Sequence, residues 1–213
     1  MQNKTNEINA ILGIDDIYKA PDALLNILLD NPKKKAVFKQ FLELNDNKLD
    51  FDYFHEYFQD EAAERKKQKQ DFTPKSVSNI ISQLIKSDIE DGTYFEAAAG
   101  TGGMMIAKWT RDKTNPNYKP SDYFYVCEEL SDRAFPFLVF NMAIRGLNGL
   151  AIHCNSLIRE CYGIFFIRNY DDNPSGCSSI VITPYSIEAE KYYNVKFVQE
   201  KYQHYIGSEL RLS

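Results

Sequence analysis

The stretch that decides the fold is FEAAAGTGGM, residues 95–104. A short apolar run, GTYFEA (92–97), comes before it, and a helical pattern, MMIAKW (104–109), follows it. Strand, glycine-rich turn and helix in this order are typical of open α/β folds, where glycines let a ligand approach the backbone at the carboxyl ends of the strands. The turn is not G-x-G-x-x-G, and it lacks the lysine of a phosphate-binding P-loop. By itself it predicts either a cofactor cradle or an ordinary tight turn.

Strand and helix patterns alternate on both sides of this turn. A helix is predicted at TPKSVSNIISQLI (73–85), with Thr73 as N-cap and Pro74 at its first position, and a second at RAFPFLVFNMAIRG (133–146). Further strands are predicted at SDYFYVCEE (121–129), LAIHC (150–154), SSIVIT (178–183) and NVKFVQ (194–199). This alternation predicts a Rossmann-like α/β fold, with a mostly parallel sheet and helices on both faces.

The residues before this region have only helical patterns. DALLNILLD (22–30) and KKKAVFKQFLEL (33–44) each place four apolar residues on one helical face. We therefore predict an N-terminal helical domain over residues 1–68, followed by the α/β domain over residues 69–213.

Composition and charge narrow the class of protein. The 213 residues carry a net charge of −5, which argues against strong binding to a phosphate backbone by this chain alone. No apolar run is long enough to cross a membrane, and the first residues lack the apolar core of a signal peptide. We expect a cytoplasmic protein. Four cysteines without CxxC spacing and three histidines predict no metal site.

Two acids, Glu128 and Glu129, end the predicted strand 121–129, which is the first strand after the glycine turn. An acid at this position in such a fold accepts hydrogen bonds from the ribose hydroxyls of an adenosine. We assign this role to Glu129 and interpret Glu128 as a solvated acid at the strand end.

Four segments in order carry a family resemblance. DFTPKSV (71–77) resembles Q-F-F-T-P-x-x-V, and FEAAAGTGG (95–103) resembles D-P-A-C-G-T-G-G. CEELSDRAFPFLVFNMAIRG (127–146) is similar to G-Q-E followed by a helix ending M-N-x-x-x-x-G, and HCNSL (153–157) is similar to G-D-S-L. On these segments the chain resembles the modification subunits of type I restriction–modification systems, which are S-adenosylmethionine-dependent DNA adenine-N6 methyltransferases.

The resemblance implies S-adenosylmethionine as cofactor and a set of residues that bind it. These residues are Phe72, Thr73, Pro74, Glu96, Ala98, Gly100, Thr101, Gly102, Gly103, Glu129, Asn155, Ser156 and Leu157.

Individual roles carry over position by position. The segment 72–74 would close over the methionine end of the cofactor, and Glu96 stands where the family has Asp, near the methionine amine. The turn 100–103 would lie under the cofactor, and Glu129 would hold the ribose. Asn155 replaces the usual Asp that accepts from the adenine amino group, and an amide oxygen is a weaker acceptor than a carboxylate.

The segment expected to hold the target adenine differs from the corresponding segment of the family. Related enzymes hold a flipped-out adenine with (Asn/Asp)-Pro-Pro-(Tyr/Phe) after the fourth strand, where the aromatic ring stacks on the base. Here TPYS (183–186) resembles the second half of that segment, so Thr183, Pro184 and Tyr185 are the candidate catalytic residues. Ile182 stands where the family has Asn, and its side chain has no acceptor.

Two functions follow from this pattern. The first is a DNA adenine-N6 methyltransferase that acts with a specificity subunit; the N-terminal helices are then candidate contacts with that subunit or with a second copy of the chain. The second is a catalytically silent relative that acts through protein–protein contacts, such as phage or mobile elements would use to occupy or mimic a modification subunit. A small-molecule methyltransferase fits less well, because the motif order is that of the DNA family.

Overall fold

The computed structural model of the chain describes residues 2–55, 57 and 92–206. The predicted helix over 73–85 and the three proposed cofactor residues Phe72, Thr73 and Pro74 lie outside the described residues. The predicted domain boundary between residues 68 and 69 lies outside them as well. These three expectations stay predictions.

Among the described residues, three α-helices with defined bounds lie in the N-terminal part. They are α1 (Gln2–Leu12), α2 (Ala20–Leu28) and α3 (Asn31–Leu44). Proline lies in the first turn of both α2 and α3, where its missing N–H costs nothing. The side chain of Asp30 caps α3 by accepting a hydrogen bond from the backbone N–H of Lys33 at 3.1 Å. The helices predicted from the apolar pattern in this region are confirmed.

The rest of the described chain alternates between strands and helices. The strands are β1 (Thr93–Glu96), β2 (Phe124–Glu129), β3 (Gly149–Cys154), β4 (Glu160–Arg168), β5 (Ser179–Ile182) and β6 (Lys196–Phe197). The helices are α4 (Gly103–Asp112), α5 (Phe135–Ile144) and α6 (Ile187–Tyr193). The fold is therefore mixed α/β with a central sheet. Five of the six strands were expected, whereas β4 was not.

The six strands form one sheet in the order β1-β2-β3-β4-β5, with β6 paired to β4. The pairs β1–β2, β2–β3 and β4–β6 are parallel, whereas β3–β4 and β4–β5 are antiparallel. The expected mostly parallel arrangement therefore holds for three of the five described pairs and is wrong for β3–β4 and β4–β5. Only residues 155–159 connect β3 to β4, too few for the crossover that a parallel pair needs.

Helices cover both faces of this sheet. Met105 and Trp109 of α4 lie in the same apolar core as α5. A smaller cluster on the opposite face contains Ile152 and Ile164, and Tyr193 of α6 packs against it.

Among the described residues, the helices include none with the length and hydropathy needed to span a membrane. In the same residues, no group of three or more His, Cys, Asp or Glu side chains is placed to hold a metal ion.

Helix α5 joins the N-terminal helices to the sheet. All ten of its residues are buried. The ring of Phe140 lies 5.0 Å from that of Phe38, 4.8 Å from that of Phe41 and 5.0 Å from that of Phe54, measured between centroids. The N-terminal helices and the α/β part therefore share one hydrophobic core in the described chain.

Replacing Phe140 by alanine tests this shared core. We expect Phe140→Ala to lower the free energy of unfolding by roughly 3–5 kcal/mol, because it opens a cavity among three aromatic rings. Urea unfolding followed by circular dichroism measures the change. Tyr192→Ala is the matched control, since that ring is 83% exposed. A loss no larger than that of the control would show that the two parts do not depend on each other.

Candidate functional site

The glycine turn connects the carboxyl end of β1 to the first turn of α4. Gly100 and Gly102 have φ values of +57° and +98°, a region that favours glycine. A Cβ atom at Gly102 would lie 2.8 Å from Cε of Met105 and 3.1 Å from Cδ1 of Leu138. The backbone conformation favours glycine at position 102, and a Cβ atom there would also displace the end of the Met105 side chain. Gly103, in contrast, has open space on its Cβ side, with no atom within 4 Å.

Glu129, at the end of β2, holds this turn in place. Its Oε2 atom accepts a hydrogen bond from the backbone N–H of Gly100 at 2.7 Å. Its Oε1 atom accepts another from the N–H of Ser131 at 2.6 Å. The residue is only 9% exposed. One carboxylate therefore links the turn after β1 to the turn after β2.

The turn after β3 reaches the same place. The hydroxyl of Ser156 donates a hydrogen bond to the carbonyl oxygen of Ala97. The Oδ1 atom of Asn155 accepts hydrogen bonds from the N–H groups of Leu157 at 3.0 Å and Ile158 at 3.3 Å. The side chain of Leu157 is 93% exposed. The turns after three neighbouring parallel strands thus meet at one edge of the sheet.

Glu96 ends β1 within this group. The hydroxyl of Tyr94 donates a hydrogen bond to its Oε2 atom at 3.0 Å. Burial raises the pKa of Glu96 to about 7, and the nearby carboxylate of Glu129 raises it further, while the hydrogen bonds from Tyr94 and from the Met105 backbone oppose this. Glu96 therefore changes its charge near neutral pH.

Two predicted residues of the turn face different ways. Ala98 is exposed at the tip of the turn. Thr101 is 1% exposed, and its hydroxyl donates a hydrogen bond to the carboxylate of Asp52. Any contribution of Thr101 to a ligand would therefore come through the backbone conformation of the turn.

The interpretation of Glu128 as a solvated acid is wrong. The residue is 2% exposed, and Nη1 of Arg159 donates to both of its carboxylate oxygens at 2.8 Å. Side chains alternate along a strand, so Glu128 points to the opposite face from Glu129. Arg159, with a φ of +62°, folds back over that face.

The candidate catalytic residues lie at the same edge of the sheet but far along it. They follow β5, which is four strand positions from β1, a separation of roughly 19 Å at the usual strand spacing. In a doubly wound sheet of order 3-2-1-4-5-6, the fourth strand lies beside the first. The structure therefore does not bring Thr183, Pro184 and Tyr185 together with the glycine turn.

The surroundings of these three residues differ from one another. The N–H of Thr183 donates to the carbonyl oxygen of Ile164 at 2.9 Å, which extends the pairing of β5. Pro184 is exposed. The hydroxyl of Tyr185 donates to the carbonyl oxygen of Tyr162 at 2.6 Å and accepts from the N–H of Tyr202 at 3.0 Å.

Sequence reasoning missed several residues that support the site. Arg159 had no recognisable signal, because its role depends on the conformation after β3. Asn141 stands in the M-N-x-x-x-x-G segment, and it binds both Asp52 and the Thr101 carbonyl. Asp52 had no signal at all, since it is distant in sequence from the turn that it contacts.

Three parallel strands with a glycine turn after the first and an acid after the second form the arrangement of a nucleotide-binding α/β protein. The sequence profile of the N-6 DNA methylase family matches residues 47–164, which is more than half of the chain. The chain therefore belongs to the N-6 DNA methylase family. Proteins of this family are methyltransferases, and they use S-adenosylmethionine. A search of curated proteins found no match.

The raised pKa of Glu96 predicts that the stability of the protein depends on pH. Between about pH 4.5 and 7 the folded chain keeps a proton that the unfolded chain has released. The contribution of Glu96 to the free energy of unfolding is therefore present below this range and is lost as pH rises through it. We expect Glu96→Gln to stabilise the protein by roughly 1–3 kcal/mol at about pH 8 and by much less at about pH 5.

Urea unfolding at the two pH values measures this difference. Glu43→Gln is the control, because that side chain is 64% exposed. An equal effect of Glu96→Gln at both pH values would contradict the raised pKa.

Proposed function

We propose that this chain binds S-adenosylmethionine at the carboxyl ends of β1, β2 and β3, as a relative of the modification subunits of type I restriction–modification systems. The observation that carries the proposal is the hydrogen bond from the Gly100 N–H to the Glu129 carboxylate, which joins the glycine turn to the expected ribose-binding acid. The contact between Ser156 and Ala97 adds the turn after β3. Both contacts join segments on which the family resemblance depends.

The chemistry of the donor set fits this cofactor. Each carboxylate oxygen of Glu129 accepts one backbone N–H, which leaves a further lone pair on each oxygen for the two ribose hydroxyls. Glu96 offers a carboxylate to the ammonium group of the methionine part. A cation beside Glu96 would lower its raised pKa and keep it ionised.

The methionine carboxylate has a suitable neighbour in the N-terminus of α4. The open space beside Gly103 leaves room there, and helix N-termini favour negative charge. The exposed Leu157 offers an apolar surface to the adenine ring. Asn155 is the weakest part of the fit, because its Oδ1 atom already accepts two backbone hydrogen bonds.

S-adenosylmethionine, when bound, would supply an activated methyl group. The residues of this chain would hold the donor in one orientation through Glu96, Glu129 and the glycine turn. If the chain is active, we propose adenine N6 in DNA as the acceptor, with a specificity subunit supplying recognition of the sequence. The net charge of −5 favours this dependence on a partner for DNA binding.

A specific observation favours a second function, the catalytically silent relative. Tyr185 is half-buried, its hydroxyl bonds to the backbone of Tyr162 and Tyr202, and its ring packs edge-on against Phe197 at 4.7 Å. A ring held in this way is not presented for stacking on a flipped base. The absence of an acceptor at Ile182 points in the same direction. In this second function the chain keeps the cofactor site and acts through contacts with other proteins.

Two measurements separate the functions. Calorimetric titration with S-adenosylmethionine tests the site, and transfer of a labelled methyl group to duplex DNA, with and without a type I specificity subunit, tests the activity. Binding with transfer supports the methyltransferase, and binding without transfer supports the silent relative. Failure to bind would overturn the proposed cofactor site itself.

Replacing Glu129 tests the proposed ribose contact. We expect Glu129→Gln to weaken the affinity for S-adenosylmethionine by about tenfold or more, because an amide removes the charge and one acceptor oxygen. Glu129→Ala should abolish binding. Glu188→Gln, an exposed residue of α6, is the matched control. Unchanged affinity in Glu129→Gln, with the fold intact by circular dichroism, would refute the assignment.

A further inference from the structure

A polar cluster lies beneath the glycine turn, and we call Asp52, Thr101, Asn141 and Arg145 the Asp52 network. Asp52 accepts hydrogen bonds from the hydroxyl of Thr101 and, at 2.8 Å, from Nδ2 of Asn141. Asn141 also donates to the carbonyl oxygen of Thr101 at 2.7 Å. Both the side chain and the backbone of Thr101 are therefore held from below.

Arg145 fixes the position of the segment that carries Asp52. Its guanidinium donates to the carbonyl oxygens of Leu49 at 2.9 Å and Phe51 at 2.6 Å. It also donates to the carbonyl and side-chain oxygens of Asn141, each at 2.9 Å. Burial lowers the pKa of Arg145 to about 10, while the charge of Asp52 acts in the opposite direction and so stabilises the charged form.

Three of the four residues of the network are buried, and Asp52 itself is half-buried. Thr101 and Arg145 are 1% exposed, and Asn141 is fully buried. A buried acceptor or donor that loses its partner bears its full desolvation cost. The network therefore favours the observed arrangement of the turn relative to residues 49–52, because another arrangement would leave buried polar atoms of Thr101, Asn141 or Arg145 without partners.

Two carboxylates thus fix two consecutive residues of the turn. Glu129 holds the N–H of Gly100 from the side of the sheet, and Asp52 holds the hydroxyl of Thr101 from the side of the N-terminal segment. We propose that Asp52 is a positioning residue that sets the conformation of the glycine turn. Where the turn binds S-adenosylmethionine, which rests on the proposed function, affinity for the cofactor then depends on this N-terminal residue.

Hydrogen exchange of the free protein tests the positioning role without any ligand. In Asp52→Asn we expect the amides of Gly100 and Gly102 to exchange about tenfold faster or more, since a charge-assisted hydrogen bond to the turn is lost. The amide of Ile152, in β3, should change little and serves as the internal reference. Asp46→Asn is the matched control, because that side chain is 86% exposed.

Substitutions at Thr101 provide the conservative rescue. Thr101→Ser keeps the hydroxyl and should keep slow exchange at the turn. Thr101→Val has nearly the same shape but no hydroxyl, so it should reproduce the effects of Asp52→Asn on exchange and weaken affinity by about tenfold.

The outcomes distinguish this inference from the proposed function. Unchanged exchange at Gly100 and Gly102 in Asp52→Asn would overturn the positioning role. An equal acceleration at Ile152 would overturn it too, because it would indicate a general loss of stability. If the wild-type chain does not bind S-adenosylmethionine, the proposed function fails, and the exchange data alone decide whether Asp52 positions the turn.

Discussion

The burial of α5 on every side is the constraint on which the rest of the structure depends. A helix that is apolar all round must be enclosed by other elements, and here the N-terminal helices, α4 and the sheet enclose it. Its polar residues therefore need internal partners. Asn141 within the helix and Arg145 directly after it find these partners in the glycine turn and in residues 49–52. The packing of α5 thus determines both how the two parts of the chain meet and what lies beneath the turn.

A second constraint separates the two halves of the sheet. The strands β1, β2 and β3 are parallel, and their connections are long enough to contain helices. The short connection after β3 reverses the chain, so β4 and β5 add to the sheet beyond β3. The turns after β1, β2 and β3, where we propose the cofactor site, are therefore close together and joined by hydrogen bonds. The segment TPYS (183–186), which resembles the family segment that holds the target adenine, lies at the other end of the described sheet.

The agreement between sequence and structure is best where a signal is local. The apolar patterns of residues 22–30 and 33–44 predicted α2 and α3, and the glycines at 100 and 102 predicted a turn, where the structure has positive φ values. Strand β4 was missed, although it contains the largely apolar run CYGIFFI, because periodicity alone does not distinguish a short apolar strand from a buried helix segment. Glu128 was misjudged, since its partner Arg159 is thirty-one residues away.

The sequence by itself determined the helical N-terminal region, the strand–turn–helix around residues 95–104, and the family, because these depend on local backbone preferences and on motif order. The tertiary structure alone decided which side chains form ion pairs or hydrogen bonds with each other. It placed Asp52 beneath Thr101, paired Glu128 with Arg159 and separated Tyr185 from the turn. The physical reason is that hydrogen bonds and ion pairs act over a few ångströms, whereas these partners are tens of residues apart in the chain.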